Sequence, residues 1–418
     1  MDRTKRIVGA LSLGLLLGSC QGYDVDPVVP HAIKVADKPV TIQGHQLAPN
    51  IMFVVDKSGS MTDPATGSGA GCANANQGYN GNRSSDCKWN NLLNVMVGDG
   101  TTNNPGFVNQ VNSSLSLNGD QVRLGLTYFA SDNSCGVGQV AVPVPGGATD
   151  NSGAIIQTLN GLAPSGATPT AATMEELLQP GIFPATADRG NYAILMTDGA
   201  PNCNTNIQPT SALCGGDRCT GGTCSDWSTC GCNPAAGGDV RLCLDDTGLV
   251  SAITDVANGG IKTFVIGFGA DAAAGSAAAT LNSAAIAGGE FRQDANHQPQ
   301  SVAYYQASDI SDLQAALTAI LGSIGTGNCQ YQLDGAPPSK ELIQVLVTAP
   351  GANSCTTDTD CGSDSSASCA SGKCATIVDQ SNLSLNGSSL TISGSACDTI
   401  DSANPNSPAA VEFRYLSN

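Results

Sequence analysis

The ten residues Ile51 to Ser60, IMFVVDKSGS, limit what this chain can fold into more than any other stretch. Ile51, Met52, Phe53, Val54 and Val55 are apolar without alternation, and Pro49-Asn50 precede them. A run of that kind suits a strand buried on both faces, as in a parallel sheet covered by helices on two sides. It ends abruptly in oxygen-bearing side chains, Asp56, Ser58 and Ser60. In an open α/β sheet, ligands bind in the crevice beyond the carboxyl ends of the strands. The stretch therefore sets three hard oxygen donors at an expected binding edge.

Further apolar runs repeat the theme. Val122 to Ala130, Tyr192 to Met196 and Thr263 to Phe268 read as strands, and Gln139 to Val144 reads as a strand near a sheet edge because of Pro143. Between them, apolar residues at helical spacing predict helices over 89–97, from Phe107 to Leu115, over 154–162, through Met174 to Leu178, over 249–257 and over 277–287. A last helix is expected from about Asp312 to Ile324, with Ser311 as its N-cap. Strands alternating with helices predict an α/β fold, a doubly wound and mainly parallel sheet, over residues 48–325. After Gly325 the pattern changes to short strand-like runs separated by turn residues, at 342–348, 375–378, 383–385, 390–392 and 411–415. Residues 328–418 are expected to form a small β-rich domain.

Composition narrows the function classes. The formal charge is -18 and the pI about 4.2, which argues against nucleic acid or an anionic membrane surface as partner. Arg3, Lys5 and Arg6 precede an apolar stretch from Ile7 to Leu17, too short to span a bilayer but suited to a signal peptide over residues 1–19. It ends in Leu17-Gly18-Ser19-Cys20, which resembles the lipobox of bacterial lipoproteins. The resemblance implies that Cys20 is lipidated; residues 20–47, with Pro27, Pro30 and Pro39, are expected to be a tether, in which Ala32 to Ile42 carries a weak edge-strand signal. Gln21, where an Asp would suggest inner-membrane retention, points to the outer membrane of a Gram-negative cell envelope. Of 17 cysteines, Cys20 leaves 16 for an oxidising compartment, an even number that reads as disulfides.

Asp56-x-Ser58-x-Ser60 is joined by Thr168 in the loop Ser165 to Thr170 and by Asp198 in the turn Thr197-Asp198-Gly199. The three motifs, in this order and each after the right kind of element, resemble the von Willebrand factor A family and its metal-ion-dependent adhesion site. That resemblance implies that Ser58 and Ser60 bind an ion directly, that Thr168 binds directly or through water, and that Asp56 and Asp198 act mostly through water and by orienting the serines. Thr170 is the fallback for Thr168. Hydroxyl, carboxylate and water oxygens suit Mg²⁺, with Mn²⁺ or Ca²⁺ able to replace it. The expected function is recognition, in which an Asp or Glu of a protein partner completes the coordination of the cation. A scaffolding subunit of an envelope complex, with an architectural ion, is the alternative. A metal-dependent hydrolase has less support, because none of the three histidines, His31, His45 and His297, lies in a catalytic motif and no P-loop is present. The expectation is a non-enzyme.

Cysteine parity adds one expectation of its own. If the six cysteines from Cys329 to Cys397 pair among themselves and Cys72 pairs with Cys87, then Cys135 must pair within the Cys-rich insertion 203–243. Loops 62–88, 131–138 and 203–243 would then rim the ion site, provided their strands are parallel. The insertion lacks CxxC pairs and a nearby histidine, which argues against zinc. An EF-hand in the tail is excluded by the spacing around Asp358 and Asp360.

Overall fold

The computed structural model describes residues 40–42, 44–46, 48–67, 87–98, 104–115, 121–147, 149–184, 189–208, 210, 231–294, 298–326, 329–335, 337–362, 366–401 and 409–415. The expected signal peptide, Cys20, Cys72 and the heart of the Cys-rich insertion lie outside these residues. Among the described residues no helix is long and apolar enough to cross a membrane.

Two short strands, β1 (Val40–Ile42) and β2 (Gly44–Gln46), come first, then β3 (Asn50–Asp56). The α/β unit continues through α1 (Lys88–Met96), α2 (Phe107–Leu115), β4 (Arg123–Phe129), β5 (Gln139–Val142), α3 (Ser152–Gly161) and α4 (Thr170–Glu176). It closes with β6 (Asn191–Thr197), α5 (Asp246–Asn258), β7 (Ile261–Phe268), α6 (Gly275–Ala287), β8 (Tyr305–Ala307) and α7 (Ile310–Thr326). Its sheet has the order β5-β4-β3-β6-β7-β8. Every neighbouring pair is parallel except β4 with β5, which is antiparallel at the edge.

Strand β3 lies at the centre, and its pleat divides the core. Ile51, Phe53 and Val55 point into the layer containing Trp89, Leu92, Val108, Leu317 and Ile320, while Met52 and Val54 point into the layer with Met174, Leu249, Ile253 and Leu281. All five β3 side chains are fully buried, each favouring the fold by about 1.5–3 kcal/mol. This is why the run carries no alternation. Helix α7 starts at Ile310, two residues earlier than the sequence suggests. Its cap is Asp309, whose Oδ1 accepts from the Asp312 backbone N–H (2.9 Å), rather than Ser311. A carboxylate at that position also complements the helix dipole.

The remaining strands are β9 (Gln330–Leu333), β10 (Ile343–Thr348), β11 (Ala367–Ala370), β12 (Lys373–Ile377), β13 (Leu383–Asn386) and β14 (Ser389–Ile392), followed by α8 (Ser395–Asp401) and β15 (Ala410–Tyr415). They form two antiparallel sheets, β1-β15-β10-β12-β11 and β13-β14-β9-β2. Ile343, Val345, Leu390, Ile392 and Phe413 fill the core shared by the two sheets, where the Tyr331 and Phe413 rings meet edge to face with centroids 5.1 Å apart. The six cysteines here pair internally, as 329–397, 355–369 and 361–374.

Residues 40–42 and 44–46, at the end of the stretch expected as tether over 20–47, belong to the β-rich unit. They supply β1, paired with β15, and β2, paired with β9. The α/β unit is thus inserted between two neighbouring strands, β2 and β9, of the β-rich unit.

Candidate metal centre

Because β3, β4, β6 and β7 are parallel, the loops after them meet at one edge of the sheet. The backbone stitches them together there. The Lys57 N–H bonds to the Phe129 carbonyl (2.6 Å), Ser165 N–H to the Lys57 carbonyl (2.6 Å) and Gly59 N–H to the Gly166 carbonyl (3.0 Å). Gly166 has φ +85°, and a Cβ there would lie 2.5 Å from the Asp132 carbonyl oxygen, so no other residue fits this crossing without displacing the loop.

The five residues singled out by sequence come together at this edge. Asp56 is fully buried, and its Oδ1 accepts from the Ser58 N–H (2.7 Å) while Oδ2 accepts from Thr197 Oγ1 (2.6 Å). Ser58 Oγ and Ser60 Oγ are 3.1 Å apart, and Ser60 Oγ donates to Asp198 Oδ1 (3.1 Å). Thr168 is buried, with its N–H bonded to Asn202 Oδ1 (2.8 Å) and its carbonyl accepting from the Asn202 N–H (2.9 Å). Thr168 faces a cleft of about 370 Å³ that is also lined by Ser60, Asp63, Asp198, Asp271 and, on apolar surface, Ala200, Pro201, Leu242 and Leu244. Thr170 opens α4 and is absent from that lining, with its hydroxyl 3.4 Å from the Thr168 carbonyl.

Sequence reasoning missed Thr197, Asn202, Lys88 and Asp271 as contributors. Thr197 and Asn202 hold Asp56 and Thr168 in place. Lys88, fully buried at the start of α1, donates to Asp198 Oδ2 (2.8 Å) and to Asp271 Oδ2. A lysine beginning an otherwise uncharged helix was the available signal, since a cation is disfavoured at a helix N-terminus.

The electrostatics follow from burial. Desolvation, and then repulsion from Asp198, push the Asp56 carboxyl up to about 7 against its hydrogen bonds from Ser58 and Thr197. Burial also raises Asp198, against the pull of Lys88. For Lys88, burial alone lowers the ammonium, but Asp198 and Asp271 together hold it above its ordinary value. Lys57 is lowered by burial, against Asp132 and Asp56, and turns its ammonium to Ser165 Oγ (3.0 Å).

These residues fit a hard divalent cation. The donors are hydroxyl and carboxylate oxygens, and neither thiol nor imidazole lines the cleft. Asp56, moreover, makes no ion pair among the described residues although it is wholly buried. A cation there would favour the ionised carboxylate that burial otherwise disfavours.

The rim is cross-linked as parity required. Cys135 pairs with Cys203, joining the loop after β4 to the loop after β6, and Cys232 pairs with Cys243 beside Leu242 and Leu244. Cys87 is disulfide-bonded, and its expected partner Cys72 lies outside the described residues.

No protein-family model matches the chain, and no curated protein sequence matches it. Among solved structures it is similar to the minor pilin PilB from Streptococcus sanguinis, at 18% identity over 67% of this chain and 62% of that one, with a TM-score of 0.39. The chain thus spans less than two thirds of that pilin. It is also similar to manganese-loaded TRAP protein from Plasmodium vivax, at 14% identity over 68% and 78% of the two chains and a TM-score of 0.36. Proximal thread matrix protein 1 from the mussel byssus, with a zinc-occupied MIDAS motif, matches at 11% identity over 69% and 51%, with a TM-score of 0.35.

Proposed function

We propose that this chain is a von Willebrand factor A-type recognition protein, lipid-anchored at Cys20, that binds a protein partner through a divalent cation. The observation that carries the reading is that Ser60, Thr168 and Asp198, from three separate loops, line one cleft, with Ser58 bonded to Ser60 and Asp56 to Ser58 just behind it. When bound, the cation would be held by the Ser58, Ser60 and Thr168 hydroxyls near the Asp56 and Asp198 carboxylates, and it supplies a positive centre for an acidic side chain of the partner. Mg²⁺, Mn²⁺ and Ca²⁺ all suit such donors.

The protein's own part is to hold these oxygens ready and to shape what approaches them. Asp56 fixes the Ser58 turn through the Ser58 N–H, and Thr197 fixes Asp56. Ala200, Pro201, Leu242 and Leu244 give the cleft an apolar wall, so the favoured partner segment places aliphatic residues beside its Asp or Glu.

Titration calorimetry with Mg²⁺ and Mn²⁺ tests the site, comparing the wild type with Asp56→Ala. Saturable binding lost in the variant, with the fold retained by circular dichroism, is the expected result. Capture of native-envelope partners, with and without chelator, tests the role. Association that survives both chelation and Asp56→Ala would replace recognition by a scaffolding role in which the ion is architectural.

A further inference from the structure

Lys88 is held at considerable cost. Its side chain is fully buried, it carries a positive charge at the first position of α1, and it is long and ordered. The fold makes room for it. Gly269, at φ +89°, packs against the aliphatic stem, and a Cβ there would lie 2.8 Å from Lys88 Cε. At its tip, the ammonium joins Asp198, after β6, to Asp271, after β7.

Asp198 is thereby divided. Its Oδ1 accepts from Ser60 Oγ and its Oδ2 from Lys88 Nζ. A carboxylate sharing its charge with an ammonium 2.8 Å away attracts a neighbouring cation less than a free one does. We propose that Lys88 is the positioning residue that tunes the cation site, holding Asp198 back from the ion so that the bound cation keeps its attraction for a partner carboxylate. This rests on the cation-dependent recognition proposed above and names the residue that sets its strength. Affinity for the ion is given up, and affinity for the acidic ligand is gained.

The test uses Lys88→Met, Lys88→Gln and Lys88→Arg in the otherwise intact chain. Mn²⁺ binding is followed by calorimetry and by electron paramagnetic resonance, and acetate serves as the carboxylate probe on the Mn²⁺-loaded protein. Lys88→Met should bind Mn²⁺ at least about tenfold more tightly and perturb its resonance less on adding acetate. Lys88→Gln keeps a hydrogen-bond donor without the charge and should behave as Lys88→Met, which carries the test if the methionine variant does not fold. Lys88→Arg should restore wild-type affinity. Equal or weaker Mn²⁺ binding by the folded neutral variants, beside normal wild-type binding, overturns the role of Lys88 and leaves the cation site standing. No binding by the wild type or by any variant overturns both.

Discussion

Thr168 and Asn202 bond to each other twice, the Thr168 N–H to Asn202 Oδ1 at 2.8 Å and the Asn202 N–H to the Thr168 carbonyl at 2.9 Å. Both residues are buried, so Asn202→Ala leaves the Thr168 N–H without its acceptor. The expected cost is about 1–3 kcal/mol of stability, with weaker cation binding because the Thr168 hydroxyl loses its fixed place. Asn202→Asp keeps the acceptor and adds negative charge, so it should bind the cation at least as tightly as the wild type. Thermal unfolding and Mg²⁺ calorimetry on both variants separate the positional effect from general damage.

The disulfide Cys135–Cys203 reinforces that bond from both sides. Ser134, beside Cys135, accepts from the Ala167 N–H at 2.7 Å, and Asn202, beside Cys203, holds Thr168. The bridge therefore ties together the two loops that grip consecutive residues of the threonine loop. A Cys135→Ser/Cys203→Ser double variant should lose about 2–4 kcal/mol of stability, since the bridge spans a sequence separation of 68. Its Mg²⁺ affinity should fall as well. An unchanged affinity in a folded variant would mean that Thr168 needs no clamp.

The pH dependence has a definite sign. Desolvation and the nearby Asp198 raise Asp56 from its ordinary 3.8 to about 7 in the folded protein, so between those values the folded state holds a proton that the unfolded state has released. In chelator, the contribution of Asp56 to stability should therefore decline as pH rises from 3.8 towards 7 and then level off. Cation binding needs the ionised carboxylate, so apparent Mg²⁺ affinity should rise over the same interval. Asp56→Asn should abolish the first trend. Thermal midpoints against pH, with chelator and with Mg²⁺, check both directions.

How much of this could be read from sequence depended on whether the relevant residues lie close along the chain. Asp56, Ser58 and Ser60 share one turn, and the unbroken run before them states its double burial directly. Parity placed Cys135 with the insertion because counting needs no geometry. Lys88, Thr197 and Asn202 act through partners between 34 and 183 residues away, and no local pattern encodes such contacts. Strands of three residues, such as β1, β2 and β8, are too short to show period-two alternation. What fixes them is pairing with distant strands, so β1 carries only a weak edge-strand signal in the sequence and β2 reads as the end of a tether.

That pairing makes a last prediction. Strand β2 is matched with β9 through Gly44 with Leu333, His45 with Gln332 and Gln46 with Tyr331, and β1 is matched with β15 through Val40 with Tyr415 and Ile42 with Phe413. One seven-residue stretch thus supplies a strand to each sheet of the β-rich unit. A chain beginning at Ala48 would leave β9 and β15 each with an unpaired edge. Hydrogen exchange should then quicken in Gln330–Leu333 and Ala410–Tyr415, while the amides of β3, β6 and β7, paired within their own sheet, keep their protection. Because the α/β unit keeps its own six-stranded sheet and core, the truncated chain should still bind Mg²⁺ while the β-rich unit unfolds at lower temperature than before. Unchanged exchange in both strands would show that residues 40–46 are tether after all.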